Sequence, residues 1–197
     1  MNELQSVVTP QAPIRTAADR TASLDSEALF GETVTASKIE NEFVYVTLDT
    51  DGYSGWMPFS CLGPQMSVTH QVIAPHSFVI AKADVRSLGI SHLSLGARLH
   101  VCLSANGDDT NPFAEIDFAG SPCFVPHAHI MPLSVCLNDW VAIAESLIGS
   151  PYRWGGRAST GLDCSALVQL ALAAAGKIVP RDSGPQHGIG SALSSIE

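Results

Sequence analysis

The chain has 197 residues, 46% of them hydrophobic, a composition that buries a substantial core or several small ones and excludes global disorder. Its formal net charge is −9, concentrated at the front: residues 1–137 carry 6 basic and 14 acidic side chains, residues 138–197 carry 4 and 5. An acidic front repels nucleic acid and anionic lipid at long range, so neither is an expected partner.

No apolar run reaches the roughly 20 residues of a membrane helix. Met1-Asn2-Glu3-Leu4-Gln5-Ser6 lacks the basic start and apolar stretch of a secretory signal, which reads as a cytoplasmic chain with no membrane partner. The cysteines at 61, 102, 123, 136 and 164 are odd in number and show no Cys-x-x-Cys pairing, against a disulfide framework or a zinc ribbon.

Residues 1–8 read as an N-terminal tail. Leu29-Phe30-Gly31-Glu32-Thr33-Val34-Thr35-Ala36 then reads as a turn followed by an alternating strand. Phe43–Leu48 is β-branched and aromatic, Asp49-Thr50-Asp51-Gly52 supplies a turn, and Tyr53-Ser54-Gly55-Trp56-Met57 begins the returning strand of a hairpin. Pro58-Phe59-Ser60-Cys61-Leu62 reads as a short closing helical turn. The same order recurs about 65 to 68 residues later, with Leu95–Val101 echoing Phe30–Ala36 and Phe124–Ile130 echoing Trp56–Leu62. The second hairpin is expected to be longer. Gly63-Pro64-Gln65 and Pro132-Leu133-Ser134 read as linkers. Both copies resemble bacterial SH3-like domains, over residues 9–64 and 68–135, with the first fitting better because the second has Phe124 where the pattern has Trp.

From Asn138 the pattern turns helical. Asn138 or Asp139 can cap a helix whose Trp140, Ile143, Ala144, Leu147 and Ile148 share one face, with Gly149 as the stop. The loop Ser150–Gly156 leads through Gly161-Leu162-Asp163-Cys164 into a second helix over Ser165–Ala175, apolar nearly all round and so expected to be buried against a sheet.

Cys164 stands at the first turn of that helix, where unpaired N–H groups and the helix dipole favour a thiolate, the nucleophilic form. Gly155, Gly156 and Gly161 would permit the close backbone approach that a substrate cleft or oxyanion hole needs. Placement alone favours a small core thiol at a tight junction, which is what most free cysteines are. Asp163 opposes the thiolate electrostatically and needs a separate role, as helix cap or as partner of a cationic group on a substrate. His127 and His129 could ligate a metal but lack a Cys or acidic partner at suitable spacing, so a solvated loop is expected and no metal site is assigned. Arg181-Asp182 fits either a surface ion pair or a cleft wall.

Three blocks change the weight: Pro151-Tyr152-Arg153-Trp154-Gly155-Gly156, Gly161–Gln169 with Asp163-Cys164-Ser165 at its centre, and Pro180-Arg181-Asp182-Ser183-Gly184-Pro185-Gln186. In this order they resemble the NlpC-type papain-like cysteine peptidases, with Ala166 where that family usually has Gly. The resemblance implies an α+β chain: two small SH3-like β-barrels, then the N-terminal helical part of a papain-like domain over 138–197. It also implies hydrolysis of peptidoglycan stem peptides between D-γ-glutamyl and a diamino acid, without a cofactor, by a Cys164 acyl-enzyme. Asp163 and Ser165 would hold the free amine of an N-terminal L-Ala, and Tyr152 would line the cleft. The family's His base and its orienting residue lie on strands well beyond the Cys helix, whereas this chain ends 33 residues past Cys164. The domain is therefore expected to be incomplete, with a homodimer covering its exposed face. The only downstream histidine, His187, is not where the family places its base. The alternative reading is a non-catalytic binder of cell-wall peptides fused to a peptidase remnant, and acyl transfer or amidase chemistry on another substrate is a third.

Overall fold

A computed structural model of the chain describes residues 3–102 and 111–191. The first unit consists of β1 (Glu3–Val7), β2 (Gln11–Arg15), β3 (Leu24–Leu29), β4 (Thr33–Glu40), β5 (Phe43–Leu48), β6 (Ser54–Pro58), a 3-10 turn at Phe59–Cys61, and β7 (Leu62–Pro64). These strands form one antiparallel sheet in the order β3-β2-β6-β5-β4-β1-β7. The expected hairpin is β5–β6, with Tyr45 opposite Trp56 and the two rings edge to face at 5.4 Å. Alternation along the strands points Ile14, Val34, Val44, Val46 and Met57 into a closed interior where each is 1% exposed or less.

The second unit runs through β8 (His70–Val72), β9 (His76–Ile80), β10 (Gly89–Ser94), β11 (Arg98–Leu99), β12 (Phe113–Phe118), β13 (Ser121–Pro126), a 3-10 turn at His127–His129, and β14 (Ile130–Pro132). Its sheets, β10-β9-β13-β12 and β11-β8-β14, repeat the order of the first unit strand for strand. Among the described residues, the β5–β4 pairing of the first unit corresponds here to a single bridge, Val101 to Ile116. The longer hairpin loop falls on residues 103–110, outside the described residues, as do Met1 and Asn2.

Two expectations are corrected. Glu3–Val7 are not a tail: they form β1 between β4 and β7, and Ser6 and Val7 are fully buried. Five residues are too few to carry a readable alternation before their partners are known. Gly63, Pro64 and Pro132 likewise belong to strands β7 and β14 rather than to linkers; both prolines sit at strand ends, where a missing N–H is tolerated.

The two units meet through equivalent turns. Arg98 N donates to Phe30 O at 2.7 Å, and the Phe30 and Phe118 rings stack at 4.9 Å. Gly31 lies in this seam with φ +77°, and a Cβ there would stand 2.0 Å from the Arg98 carbonyl oxygen. Gly31→Ala is expected to cost at least about 1–3 kcal/mol from the left-handed backbone alone, with the backbone clash adding to it; a denaturant titration with an unchanged midpoint would refute this.

The C-terminal part contains α1 (Trp140–Ser146), the short hairpin β15 (Arg157–Ala158) and β16 (Gly161–Leu162), α2 (Cys164–Ala174) and α3 (Ser183–His187). Asp139 caps α1, its side chain accepting from Ala142 N at 3.0 Å. Of the five residues expected on the buried face, Ile143 and Leu147 are buried, but Trp140 is 42% and Ile148 83% exposed. The helix ends at Ser146, and Gly149, at φ +93°, turns the chain away, so Ile148 never joins the helical face. Nor is α2 buried all round. Ala166, Leu170, Ala171 and Ala174 pack into the core shared with the second unit and Phe30, while Cys164 and Val168 face outward. Small alanines on the inner face let this helix lie close to the sheets. No helix among the described residues is long and apolar enough to cross a membrane.

Candidate active site

Cys164 is the first residue of α2, and Asp163, immediately before it, is the N-cap, with Oδ1 accepting from Ala166 N at 2.9 Å. Cys164 is exposed and Asp163 is 7% exposed. Extended backbone at the cap turns the carboxylate inward and leaves the following side chain facing out. The thiol opens onto a groove of about 250 Å³ between α1 and α2, lined by Leu147, Ile148, Tyr152, Leu162 and Leu167. Tyr152 is 67% exposed and is fixed by a backbone bridge to Leu162. The core-thiol alternative therefore does not describe Cys164; Cys61 and Cys123 are the buried thiols.

Beneath Cys164 lies a buried polar cluster. Arg181 grips Asp163 in a fork, Nη1 to Oδ1 at 3.0 Å and Nη2 to Oδ2 at 2.8 Å. Nη1 also donates to Ser165 Oγ at 2.9 Å, and Ser165 Oγ donates to Asp163 Oδ1 at 3.1 Å. Gly155 N donates to Asp163 Oδ2 at 3.0 Å. Both carboxylate oxygens are thus engaged by the protein itself. Arg181 Nε reaches across to Ser26 Oγ of the first unit at 2.9 Å, and Gln186 Nε2 holds Ser165 O at 3.0 Å, fastening α3 to the start of α2. Arg181 pairs with Asp163 rather than with its neighbour Asp182, and it is buried.

A second buried pair locks the preceding hairpin to the first unit. Arg157 donates to Glu32 through Nη1 at 2.9 Å and Nη2 at 3.1 Å, and to Glu27 O through Nη1 at 2.9 Å. Glu27 also accepts from Arg157 N and from Arg153 Nη1. The glycines of the loop serve this docking. Gly155, at φ +73°, presses on Leu24 and Asp25, and a Cβ on Gly156 would lie 2.2 Å from Gly161 O. Their close approaches are to other parts of the protein itself, Leu24 and Asp25 for Gly155 and the Gly161 carbonyl for Gly156.

Burial by itself would raise the pKa of Asp163, but the Arg181 hydrogen bonds, the cap bond to Ala166 N and the Arg181 charge outweigh it and hold the group below its ordinary value. Burial likewise opposes ionisation of Glu32, and the Arg157 charge and hydrogen bonds overcome it. A carboxylate depressed in the folded state contributes stability above its unfolded pKa and loses it as pH falls through the folded one. The melting temperature is therefore expected to fall steeply below about pH 4, and a flat thermal profile across that range would contradict it.

Sequence reasoning did not single out Tyr53, Asp25 or Ser26. Tyr53 has its pKa raised, chiefly by burial and then by the charges of Asp25 and Asp182, so its hydroxyl stays protonated beside Asp25. Nothing local marks these residues, since they reach the Cys164 side only through docking of the two parts. His187 is exposed on α3. His127 and His129 lie on the closing turn of the second unit, His129 within 3.2 Å of Ser77 Oγ. Among the described residues no group of His, Cys, Asp and Glu could hold a metal ion.

Comparison with known proteins gives two family matches: a bacterial dipeptidyl-peptidase SH3 domain over residues 14–62, and the NlpC/P60 family over residues 149–196. A γ-D-glutamyl-L-lysine dipeptidyl-peptidase of Bacillus subtilis is 27% identical over 86% of this chain and 60% of its own length. A bifunctional muramidase/DL-endopeptidase of the same organism is 32% identical over 73% of this chain and 51% of its own length. This chain thus spans little more than half the length of these curated relatives. An NlpC/P60 family protein from Bacillus cereus has the same fold, with a TM-score of 0.81 at 18% identity over 98% of this chain and 79% of its own. Residues 149–196 therefore match the NlpC/P60 family, with a bacterial SH3 domain matched ahead of them over residues 14–62.

Proposed function

We propose that the protein is a cysteine peptidase acting on peptidoglycan stem peptides, cutting the bond between D-γ-glutamyl and a diamino acid, and that both β units are SH3-like. The observation that carries this reading is an exposed Cys164 at the N-terminal residue of α2, opening onto the groove beside Tyr152, with a buried and fully bonded Asp163 behind it. The names of the relatives supply the bond. The Cys164 sulfur bonds to the γ-glutamyl carbonyl carbon, the C–N bond breaks and the diamino acid leaves as its amine carrying the proton the thiol gave up; water then adds to the thioester carbon, releasing the γ-carboxyl product and returning a proton to the thiol.

Because its oxygens already accept from Gly155, Ser165, Ala166 and Arg181, Asp163 acts with Ser165 as a positioning residue that fixes the start of α2, while Tyr152 contacts the peptide. The free ammonium of an N-terminal L-Ala would be drawn to the acidic edge formed by Asp25 and Asp182 around Tyr53. The test is mass spectrometry of L-Ala-γ-D-Glu-L-Lys and its N-acetylated form after incubation with the protein. Release of L-Ala-D-Glu from the free-amine peptide alone is expected. Binding of both peptides without product would overturn the reading in favour of a non-catalytic wall-peptide binder.

A further inference from the structure

A groove of about 730 Å³ lies on the first unit, and none of its lining residues belongs to the C-terminal part that carries Cys164. Three stretches of chain meet there: Arg15 at the end of β2 with Arg20 in the loop that follows, the β4–β5 turn from Ile39 to Phe43, and the 3-10 turn at Phe59–Cys61. Its size falls within the roughly 300–1,000 Å³ of small-ligand sites. Ile39 and Phe59 bring it apolar side chains that are 68% and 50% exposed, and Phe43 brings a buried ring.

Residues 1–65 carry only 3 basic side chains against 9 acidic ones, yet two of the three cations line this groove. Arg20 is neutralised by Glu42, which lines it as well. Arg15 forms no ion pair among the described residues, and its Nη1 donates to Ala22 O at 2.6 Å. Asp19, in the same loop, is held instead by Thr21, accepting from its N at 2.6 Å and its Oγ1 at 2.7 Å. Nε and Nη2 of Arg15 make no bond among the described residues, and neither is sealed from solvent. These are the two nitrogens whose N–H groups point the same way, the fork that holds both oxygens of a carboxylate.

The second unit shows that the barrel itself needs neither group. Trp56 pairs with Arg15 between β6 and β2, whereas its counterpart Phe124 pairs with Ile80 between β13 and β9. The 3-10 turn that begins with Phe59 in the first unit begins with His127 in the second. An arginine with an open fork and a half-exposed phenyl ring on the same groove are therefore not demands of the fold.

We propose that this groove is a non-catalytic binding site for an aliphatic residue with a free α-carboxylate, the end of a short peptide or an acylated amino acid. The carboxylate takes the Nε–Nη2 fork of Arg15, and the aliphatic side chain lies against Phe59 and Ile39. One negative charge is what the groove leaves unmatched once Arg20 and Glu42 have paired. A bare anion would leave the apolar walls unused, and an apolar amine would be repelled by Arg15. The assignment stands whether or not Cys164 is a nucleophile.

The test is calorimetric titration with N-acetyl-Ala-Ala and N-acetyl-Ala-Leu, in all-L and all-D forms, each as the free acid and as the C-terminal amide, and with acetate. One-to-one binding of at least one free acid is expected, with its amide and acetate weaker by about tenfold or more. Either chirality supports the site, an all-D preference pointing to a cell-wall peptide and an all-L preference to a protein tail. Arg15→Gln and Phe59→His should each weaken binding by about tenfold or more, and histidine is what the second unit already tolerates at the start of this turn. Tyr152→Ala, at the other groove, should leave it unchanged. If no free acid binds, if the amides bind as tightly, if either Arg15→Gln or Phe59→His leaves binding intact, or if Tyr152→Ala abolishes it, the proposal is overturned.

Discussion

Arg181→Ala is expected to destabilise the protein by about 3–5 kcal/mol, the loss seen when one partner of a buried ion pair is removed. For a chain of this length that is a fall in melting temperature on the order of 10 °C. The side chain is 1% exposed and its partner Asp163 10%. Truncation removes both bonds to Asp163 together with those to Ser165 Oγ and Ser26 Oγ. A carboxylate would remain out of water without its countercharge. Arg181→Lys should recover only part of the loss, because an ammonium keeps the charge but not the planar fork that spans both carboxylate oxygens. The double variant Arg181→Met with Asp163→Leu should be less damaged than the two single losses added together, since neither charge is then stranded. Thermal and denaturant unfolding of the parent, of these variants and of the single variants Arg181→Met and Asp163→Leu measures this directly. A single-variant loss below about 1 kcal/mol would put the pair in the class of surface bridges.

The largest effect on activity is expected at Cys164. Cys164→Ala should lower hydrolysis of the free-amine tripeptide by at least about 10⁴-fold, the scale of nucleophile removal in well-studied hydrolases. Stability should change by no more than about 0.5 kcal/mol, because an exposed position at a helix start loses little packing. Alkylation gives an independent measurement. Cys136 and Cys164 are the two exposed thiols, while Cys61 and Cys123 are buried and have pKa values raised chiefly by burial. Alkylating reagent should therefore mark Cys136 and Cys164 first, and inactivation should track Cys164 and persist in Cys136→Ser. Full hydrolysis by Cys164→Ala would remove the nucleophile assignment altogether.

The hairpin β5–β6, the closing turn at Phe59–Cys61, the cap of α1 at Asp139 and the start of α2 beside Cys164 were legible because each depends on residues within a few positions of one another: β-branched runs, turn formers, caps and a helical period. The repeat was legible for the same reason, since each unit carries its own turn and hairpin chemistry. Local pattern failed where burial depends on a distant partner. β1 is a strand because β4 and β7 flank it. The outer side of α2 is as apolar as its inner side, and only docking decides which half is covered.

The sequence by itself determined the local elements, their order, and the placing of a cysteine just after a capping aspartate at the start of a helix. Only the tertiary structure decided what Asp163 and Arg157 bond to, because their partners Arg181 and Glu32 stand 18 and 125 residues away. The same is true of the groove on the first unit, which three separated segments line. A charge buried at such a junction is tolerated only when an opposite charge arrives with matching geometry, and that match is settled by how the parts dock, not by the residues beside it in the chain.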